Sequence, residues 1–175
     1  MNPTEKRDSL KGTNNKIAIT PPKKDLRHIL VADDDPDDLF LIRKAFQENE
    51  IPNPLICARD GEAVLQYLRR EGVFAGLSRV PLPSLILLDL NMPRRNGHET
   101  LRALKNDPVF KFIPAIVLST STSEEDVSKA YQLGANSYIV KPNSYDKLVA
   151  AVKTIRDFWL QATQLPAACE NQRIS

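Results

Sequence analysis

Residues 85–93 read Leu-Ile-Leu-Leu-Asp-Leu-Asn-Met-Pro. The four apolar residues Leu85 to Leu88 have the length of a strand and no alternation. A strand of that kind is apolar on both faces, as central strands of a parallel sheet are. It ends on a carboxylate, Asp89. Three other apolar runs also end on polar residues: His28–Ala32 on Asp33-Asp34, Ala115–Leu118 on Ser119-Thr120, and Tyr138–Val140 on Lys141-Pro142. In an open parallel sheet all strand C-termini point to one edge. The four ends are therefore expected to meet in one pocket, with three carboxylates, one or two hydroxyls and one ammonium.

Helical signals fall between the strands. Asp35-Pro36 opens a helix, with Asp35 as N-cap and Pro36 at the first helical position. Leu39, Ile42 and Phe46 are its apolar stripe. Pro52 and Pro54 punctuate the chain before a second strand, Leu55–Ala58. Asp60-Gly61 turns into a helix bearing Ala63, Val64, Tyr67 and Leu68 and ending near Gly72. Residues 73–83, with Gly76, Pro81 and Pro83, read as a loop. Leu101 and Leu104 mark a third helix, stopped by Asp107-Pro108. Ser123 and Asp126 resemble a capping box, and the helix they open runs to Gly134 as C-cap. Ser144 caps a last helix carrying Leu148, Val149, Val152, Ile155, Phe158 and Trp159.

Five strands alternating with five helices require parallel pairing and right-handed crossovers. The expected fold class is α/β, a three-layer sandwich on a five-stranded parallel sheet in the flavodoxin-like order 2-1-3-4-5. In that order the first and third strands are neighbours, so Asp33, Asp34 and Asp89 share a crevice.

At 175 residues the chain holds one domain of ordinary size plus tails. The expected division is a disordered basic leader over 1–25, the folded domain over 26–162 and a C-terminal tail over 163–175. Residues 1–24 carry six Lys or Arg against two acids, about +4 against a total of +2. The remainder is thus slightly acidic and shows no basic face, which argues against nucleic-acid binding. No stretch approaches the roughly 20 apolar residues of a membrane span, and the N-terminus has no apolar signal core. Two cysteines, Cys57 and Cys169, are too few for a disulfide framework. Cys57 lies in an apolar run and reads as a buried thiol. The expected location is cytoplasmic.

Two carboxylates about 4 Å apart repel by roughly 4 kcal/mol at an effective dielectric near 20. A cation relieves that repulsion, and an oxygen-only donor set without His or Cys selects a hard ion, Mg²⁺ or Mn²⁺. Each residue alone has a plainer reading: an Asp pair as a helix cap, a lone Asp or Ser as a turn residue, a Lys as surface. Asp35 already supplies the cap. A calcium loop starting at Asp33 would need Gly at its sixth position and Glu at its twelfth; the chain has Asp38 and Lys44, and Pro36 interrupts it. Asp89 is the candidate nucleophile, since carboxylates attack phosphorus in aspartyl-phosphate chemistry. Lys141 is expected to reach Asp89 and then a phosphoryl oxygen, and Ser119 to donate a hydrogen bond to one.

From about His28 to Leu160 these residues resemble the receiver domain of two-component response regulators. The resemblance implies that Asp34 binds the metal directly and Asp33 largely through water. It makes Asp89 the phosphoacceptor and also a metal ligand, and gives Asn91 the backbone carbonyl that ligates the ion. Met92-Pro93 and Gly97 match the loop motif that follows. Ser119 matches the switch Thr/Ser, Tyr138 the aromatic switch position, and Lys141-Pro142 the family's lysine with its usual cis peptide bond. The Pro-rich insertion before the third strand and the tail Phe158-Trp159-Leu160 with Leu165-Pro166 are similar to stand-alone regulators paired with bacterial phytochrome histidine kinases. Ser119 in place of Thr and the long leader are mild departures.

The resemblance implies a signalling switch rather than a turnover enzyme, one that catalyses only its own phosphorylation and slow dephosphorylation. A histidine kinase phosphorylates Asp89, and the face of helix four, strand five and helix five changes. About 15 residues follow Leu160, too few for an output domain. The output is then a downstream protein, a phosphotransfer partner or a homodimer. Phe158 and Trp159 either cap the sandwich or form a dimer or partner surface. Two rivals remain: a haloacid-dehalogenase-type phosphatase using Asp33 and Asp35, and a receiver-like module that never carries phosphate.

Overall fold

The structure, a computed structural model, describes residues 26–77 and 79–166. The basic leader and most of the tail, Cys169 included, lie outside the described residues. The chain runs β1 (Ile29–Ala32), α1 (Pro36–Glu48), β2 (Leu55–Ala58), α2 (Gly61–Arg69), β3 (Leu85–Leu88), α3 (Gly97–Asn106), β4 (Ala115–Ser119), α4 (Glu124–Gln132), β5 (Ser137–Val140) and α5 (Tyr145–Ile155). All strand pairs are parallel, in the order β2-β1-β3-β4-β5. This is the order expected.

The unbroken apolar run at 85–88 is explained by the two helical layers. Ile86 and Leu88 pack into one core with Leu65, Leu101 and Leu104 from α2 and α3. Leu85 and Leu87 pack into the other with Ile42, Phe46, Val152 and Ile155 from α1 and α5. The pleat alternates side chains between faces, so a strand covered on both faces needs apolar residues at every position. At the sheet edge β5 has no such demand, and Val140 is exposed.

Helix boundaries follow their caps. The Asp35 side chain accepts from the Asp37 backbone N–H, with Pro36 at the first position of α1. Asn96 and Glu99 close a reciprocal capping box on α3. Several expectations are corrected. Strand β1 begins at Ile29, one residue after His28. Helix α2 stops at Arg69, because Arg70 takes the left-handed conformation (φ 60°), ahead of Gly72. The segment expected to be loop contains a 3₁₀ helix over Gly72–Leu77, docked by the edge of Phe74 against Tyr67.

Ser123 and Ser144 hold N-cap positions but make no side-chain cap bond. Gly134 follows the cap residue Leu133 with φ 95°. The described residues contain no cis peptide bond, so Lys141–Pro142 is trans. Cys57 is half-buried rather than buried, with its Sγ 3.2 Å from an Arg43 guanidinium nitrogen. Beyond α5 the helix continues as a π-helical turn, Arg156–Ala162. It carries Phe158 and Trp159 edge to face, their ring centroids 5.2 Å apart. Trp159 packs on the α1/α5 core, whereas Phe158 is 53% exposed. Among the described residues no helix is long and apolar enough to cross a membrane.

Candidate functional site

Each acidic side chain is placed by a strand end. The Asp33 N–H donates to the Ala58 carbonyl (3.0 Å), carrying the β1–β2 ladder one residue past the strand. The Asp89 N–H donates to the Ala32 carbonyl (2.9 Å) and does the same for β1 and β3. Asp33 and Asp89 are thereby buried side by side, and Asp34 lies exposed at the rim. A carboxylate oxygen from each of Asp33, Asp34 and Asp89 lies within 4.8 Å of the others. One Asp89 oxygen is held by the Leu90 N–H at 2.8 Å.

Gly97 is needed for this placement. A Cβ there would lie 2.2 Å from the Asp89 carbonyl oxygen and 2.6 Å from Leu90 Cα. Its N–H donates to the Leu90 carbonyl (2.9 Å), closing the loop that contains exposed Asn91 and buried Met92.

Lys141 comes in from β5. Its backbone N–H donates to the Ser119 carbonyl (2.7 Å), fixing where its side chain starts. The ammonium donates to Asp33 (2.6 Å) and Asp38 (2.7 Å) and stands 3.4 Å from Asp89. The expected reach to Asp89 is present as an ion pair, but the hydrogen bonds go to the other two acids. Asp38 was not singled out as a partner by sequence reasoning. In the sequence Asp38 is marked only by its place in the acid run 33–38.

Burial works to lower the Lys141 ammonium, yet its hydrogen bonds to Asp33 and Asp38 and the charges of Asp33 and Asp89 outweigh it. They hold the group above its ordinary value. Burial pushes the Asp33 carboxyl upward and nearby Asp89 adds to the rise, against the Lys141 hydrogen bond and charge and the Asp35 N–H. Asp33, Asp34, Asp38 and Asp89 thus face one ammonium, and the surplus of negative charge calls for a cation. An octahedral Mg²⁺ with oxygens at about 2.1 Å spans roughly 4 Å between opposite ligands. A cluster this wide fits such an ion with two carboxylates bound directly and one through water.

Ser119 is fully buried at the end of β4, and its Oγ accepts the Ser121 N–H at 3.3 Å. Tyr138 is half-buried and donates its hydroxyl to the Ser121 carbonyl (3.0 Å). Sequence reasoning did not find Ser121, nor its 2.6 Å hydrogen bond to Asp126. That bond replaces the capping box expected at Ser123.

A cavity of about 450 Å³ lies away from the acids between α2 and α3. Of its lining arginines, Arg94 pairs with Asp60 and Arg95 with Glu62. The groove that touches the acid site, about 180 Å³, runs from Asp38 and Leu41 past Lys141 and Pro142 to Tyr145.

A parallel 2-1-3-4-5 sheet with clustered acids and a lysine at its C-terminal edge defines a class of phosphorylation-controlled signalling domain. Residues 29–153 match the family model "Response regulator receiver domain", and the chain belongs to that family. It is 38% identical over 148 residues to "Response regulator Rcp1" of Synechocystis sp., covering 85% of this chain and 96% of that protein. The phosphorylated cyanobacterial phytochrome response regulator RcpA superposes with a TM-score of 0.74 at 40% identity, over 80% of this chain and 98% of RcpA. The Mn²⁺-bound form of Rcp1 superposes with a TM-score of 0.73 at 38% identity, over 79% and 98%.

Proposed function

We propose that the protein is a phosphorylation-dependent signalling switch whose phosphoacceptor is Asp89. The observation that carries this reading is the gathering of Asp33, Asp34 and Asp89 within 4.8 Å, with the Lys141 ammonium 3.4 Å from Asp89. Asp34, Asp89 and the Asn91 backbone carbonyl would hold Mg²⁺ or Mn²⁺, with Asp33 acting largely through water. When bound, the ion neutralises charge between the carboxylates and an incoming phosphoryl group.

The donor is a phosphohistidine of a histidine kinase. An Asp89 carboxylate oxygen forms the new bond to phosphorus as the P–N bond breaks. The imidazole nitrogen leaves with the bonding pair and takes a proton from water. Lys141 is tethered by Asp33 and Asp38, so its charge is already in place for a phosphoryl oxygen and costs no reorganisation. Ser119 turns its hydroxyl to another phosphoryl oxygen and gives up the Ser121 N–H. Tyr138 then moves, and the α4–β5–α5 face changes for a downstream protein or a phosphotransfer partner. This is a population shift driven by contacts made better in one state.

The rival phosphatase reading needs Asp33 free to attack. Asp33 is instead buried under Lys141 and the Asp35 N–H. The working unit is the receiver domain over 26–162 in the cytoplasm. Its activity is limited to its own phosphorylation and slow dephosphorylation. Likeness to Rcp1 and RcpA supports a bacterial phytochrome as the kinase. Exposed Phe158 beside Trp159 supports a homodimer or partner surface there.

The test is phosphotransfer from a bacterial phytochrome kinase in Mg²⁺. Wild type acquires hydroxylamine-labile phosphate and Asp89→Asn does not. Stable label on the variant would overturn the assignment.

A further inference from the structure

The loop that follows Asp89 is fastened at both ends. The Leu90 N–H donates to an Asp89 oxygen (2.8 Å), and the Gly97 N–H donates to the Leu90 carbonyl (2.9 Å). Between them Asn91 is exposed and Met92 is buried in the α2/α3 core. The chain then turns sharply. The Arg95 N–H donates back to the Pro93 carbonyl at 2.7 Å, and Arg94, at the centre of this three-residue turn, has φ 61°. A turn of that kind is rare and strained. The Cβ of an arginine disfavours the left-handed conformation, and a residue stays there only where its surroundings hold it.

Arg94 is held from the start of α2. Its guanidinium pairs with Asp60 Oδ2, and Asp60 is 1% exposed. The other Asp60 oxygen accepts the Ala63 N–H (2.8 Å) as the N-cap of α2. Without Arg94 the Asp60 carboxylate would keep its cap bond but lose the charge that offsets its burial. Two neighbouring contacts cross the same junction. The Gly61 N–H donates to the Arg95 carbonyl (3.1 Å), and Arg95 Nε donates to Glu62 (3.2 Å). A Cβ on Gly61 would lie 2.7 Å from the Arg95 carbonyl oxygen, so α2 and the loop meet backbone against backbone.

We propose that the Arg94–Asp60 ion pair holds the strained turn in place, and that Arg94 is thereby a positioning residue for the Asn91 carbonyl, three residues earlier, at the metal site. The inference rests on the metal-ligand reading above. Neither Arg94 nor Asp60 is a ligand in that reading, and neither takes part in the bond-making step. The local cost of the turn is offset by a charge pair with a distant segment, so the loop takes its shape only when α2 has docked.

The probe is Mn²⁺ alone, titrated by calorimetry into the full chain and into Arg94→Ala, Arg94→Gly, Asp60→Asn and the Arg94→Ala/Asp60→Asn double variant. Arg94→Ala loses the pair but keeps the strain, and should bind Mn²⁺ about tenfold more weakly than wild type, the equivalent of one left-handed residue. Loss of a positive charge would by itself tighten cation binding, so weakening reports position rather than charge. Arg94→Gly also loses the pair, but glycine adopts positive φ freely, and it should stay within about threefold of wild type. Asp60→Asn keeps a side-chain oxygen for the Ala63 N–H and should match Arg94→Ala. The double variant should be no weaker than either single one, because both remove the same pair. Unchanged or tighter binding in Arg94→Ala, equal weakening in Arg94→Gly, or multiplied losses in the double variant overturns the assignment.

A second readout needs no metal. In metal-free protein, Arg94→Ala should speed exchange of the Gly61 and Gly97 amides at least about tenfold and leave those of α5 unchanged. Equal exchange rates overturn the assignment. Failure of wild type to bind Mn²⁺ overturns the metal-ligand reading, and the exchange experiment then still decides whether the ion pair holds the loop.

Discussion

Acidification from pH 7 to pH 5 should remove about 2 kcal/mol of stability through one residue, His28. It is 7% exposed at the start of β1, with its Nε2 2.8 Å from the Tyr67 hydroxyl and its ring edge-on to that residue. Burial, and then the positive charges of Arg70 and Arg27, lower its pKa from 6.5 to about 4. The folded protein therefore keeps the imidazole neutral where the unfolded chain protonates it. The resulting stability is full above pH 6.5, declines as the pH falls towards 4, and is flat below that.

A shift of that size corresponds to about 3 kcal/mol over the whole window, at 1.36 kcal/mol per pKa unit. Between pH 7 and pH 5 the single-site linkage gives about 2 kcal/mol. Urea unfolding of wild type and His28→Gln at both pH values isolates this part, because the carboxylates titrate in both proteins. The wild type should lose about 2 kcal/mol more than the variant. Equal losses, or an imidazole that titrates near 6.5 by NMR, would refute the reasoning.

Three further outcomes are expected. Gly97→Ala forces a Cβ into the Asp89 and Leu90 backbone; it should cost about 1–3 kcal/mol in urea unfolding and slow phosphorylation of Asp89, and full stability with full activity would contradict the packing. Asp34→Ala should weaken Mn²⁺ binding at least about tenfold, while stabilising the metal-free fold by up to about 1 kcal/mol through relieved repulsion at a solvated site. Unchanged metal titration would count against Asp34 as a ligand. Leu87→Ala, in the α1/α5 core, should cost about 2–5 kcal/mol, and a loss below about 1 kcal/mol would mean that this core closes over the cavity.

Much of the fold can be read along the chain because its signals are local. A strand buried on both faces must be apolar at every position, which marks residues 85–88. A helix start must satisfy free N–H groups, which marks Asp35-Pro36. The capping box expected at Ser123 does not form, because Asp126 has two possible hydroxyl partners, Ser121 and Ser123. Only the turn geometry after β4 selects Ser121. Helix α2 ends earlier than the glycine signal implies because Arg70, not a glycine, adopts the left-handed conformation. Nothing in the residue type announces that.

The candidate site divides in the same way. Asp33, Asp34, Asp89, Ser119 and Lys141 were found as strand ends, since parallel β/α order alone carries such ends to one edge. Which charges pair there was decided by the folded molecule. Lys141 hydrogen-bonds Asp33 and Asp38, more than 100 residues away in the chain, and stands off Asp89. His28 is kept neutral by its burial and by the positive charges of Arg70 and Arg27. Local patterning determines where a side chain enters a pocket. Ion pairing and titration depend on distances of a few tenths of an ångström between distant segments, and those exist only once the layers have packed.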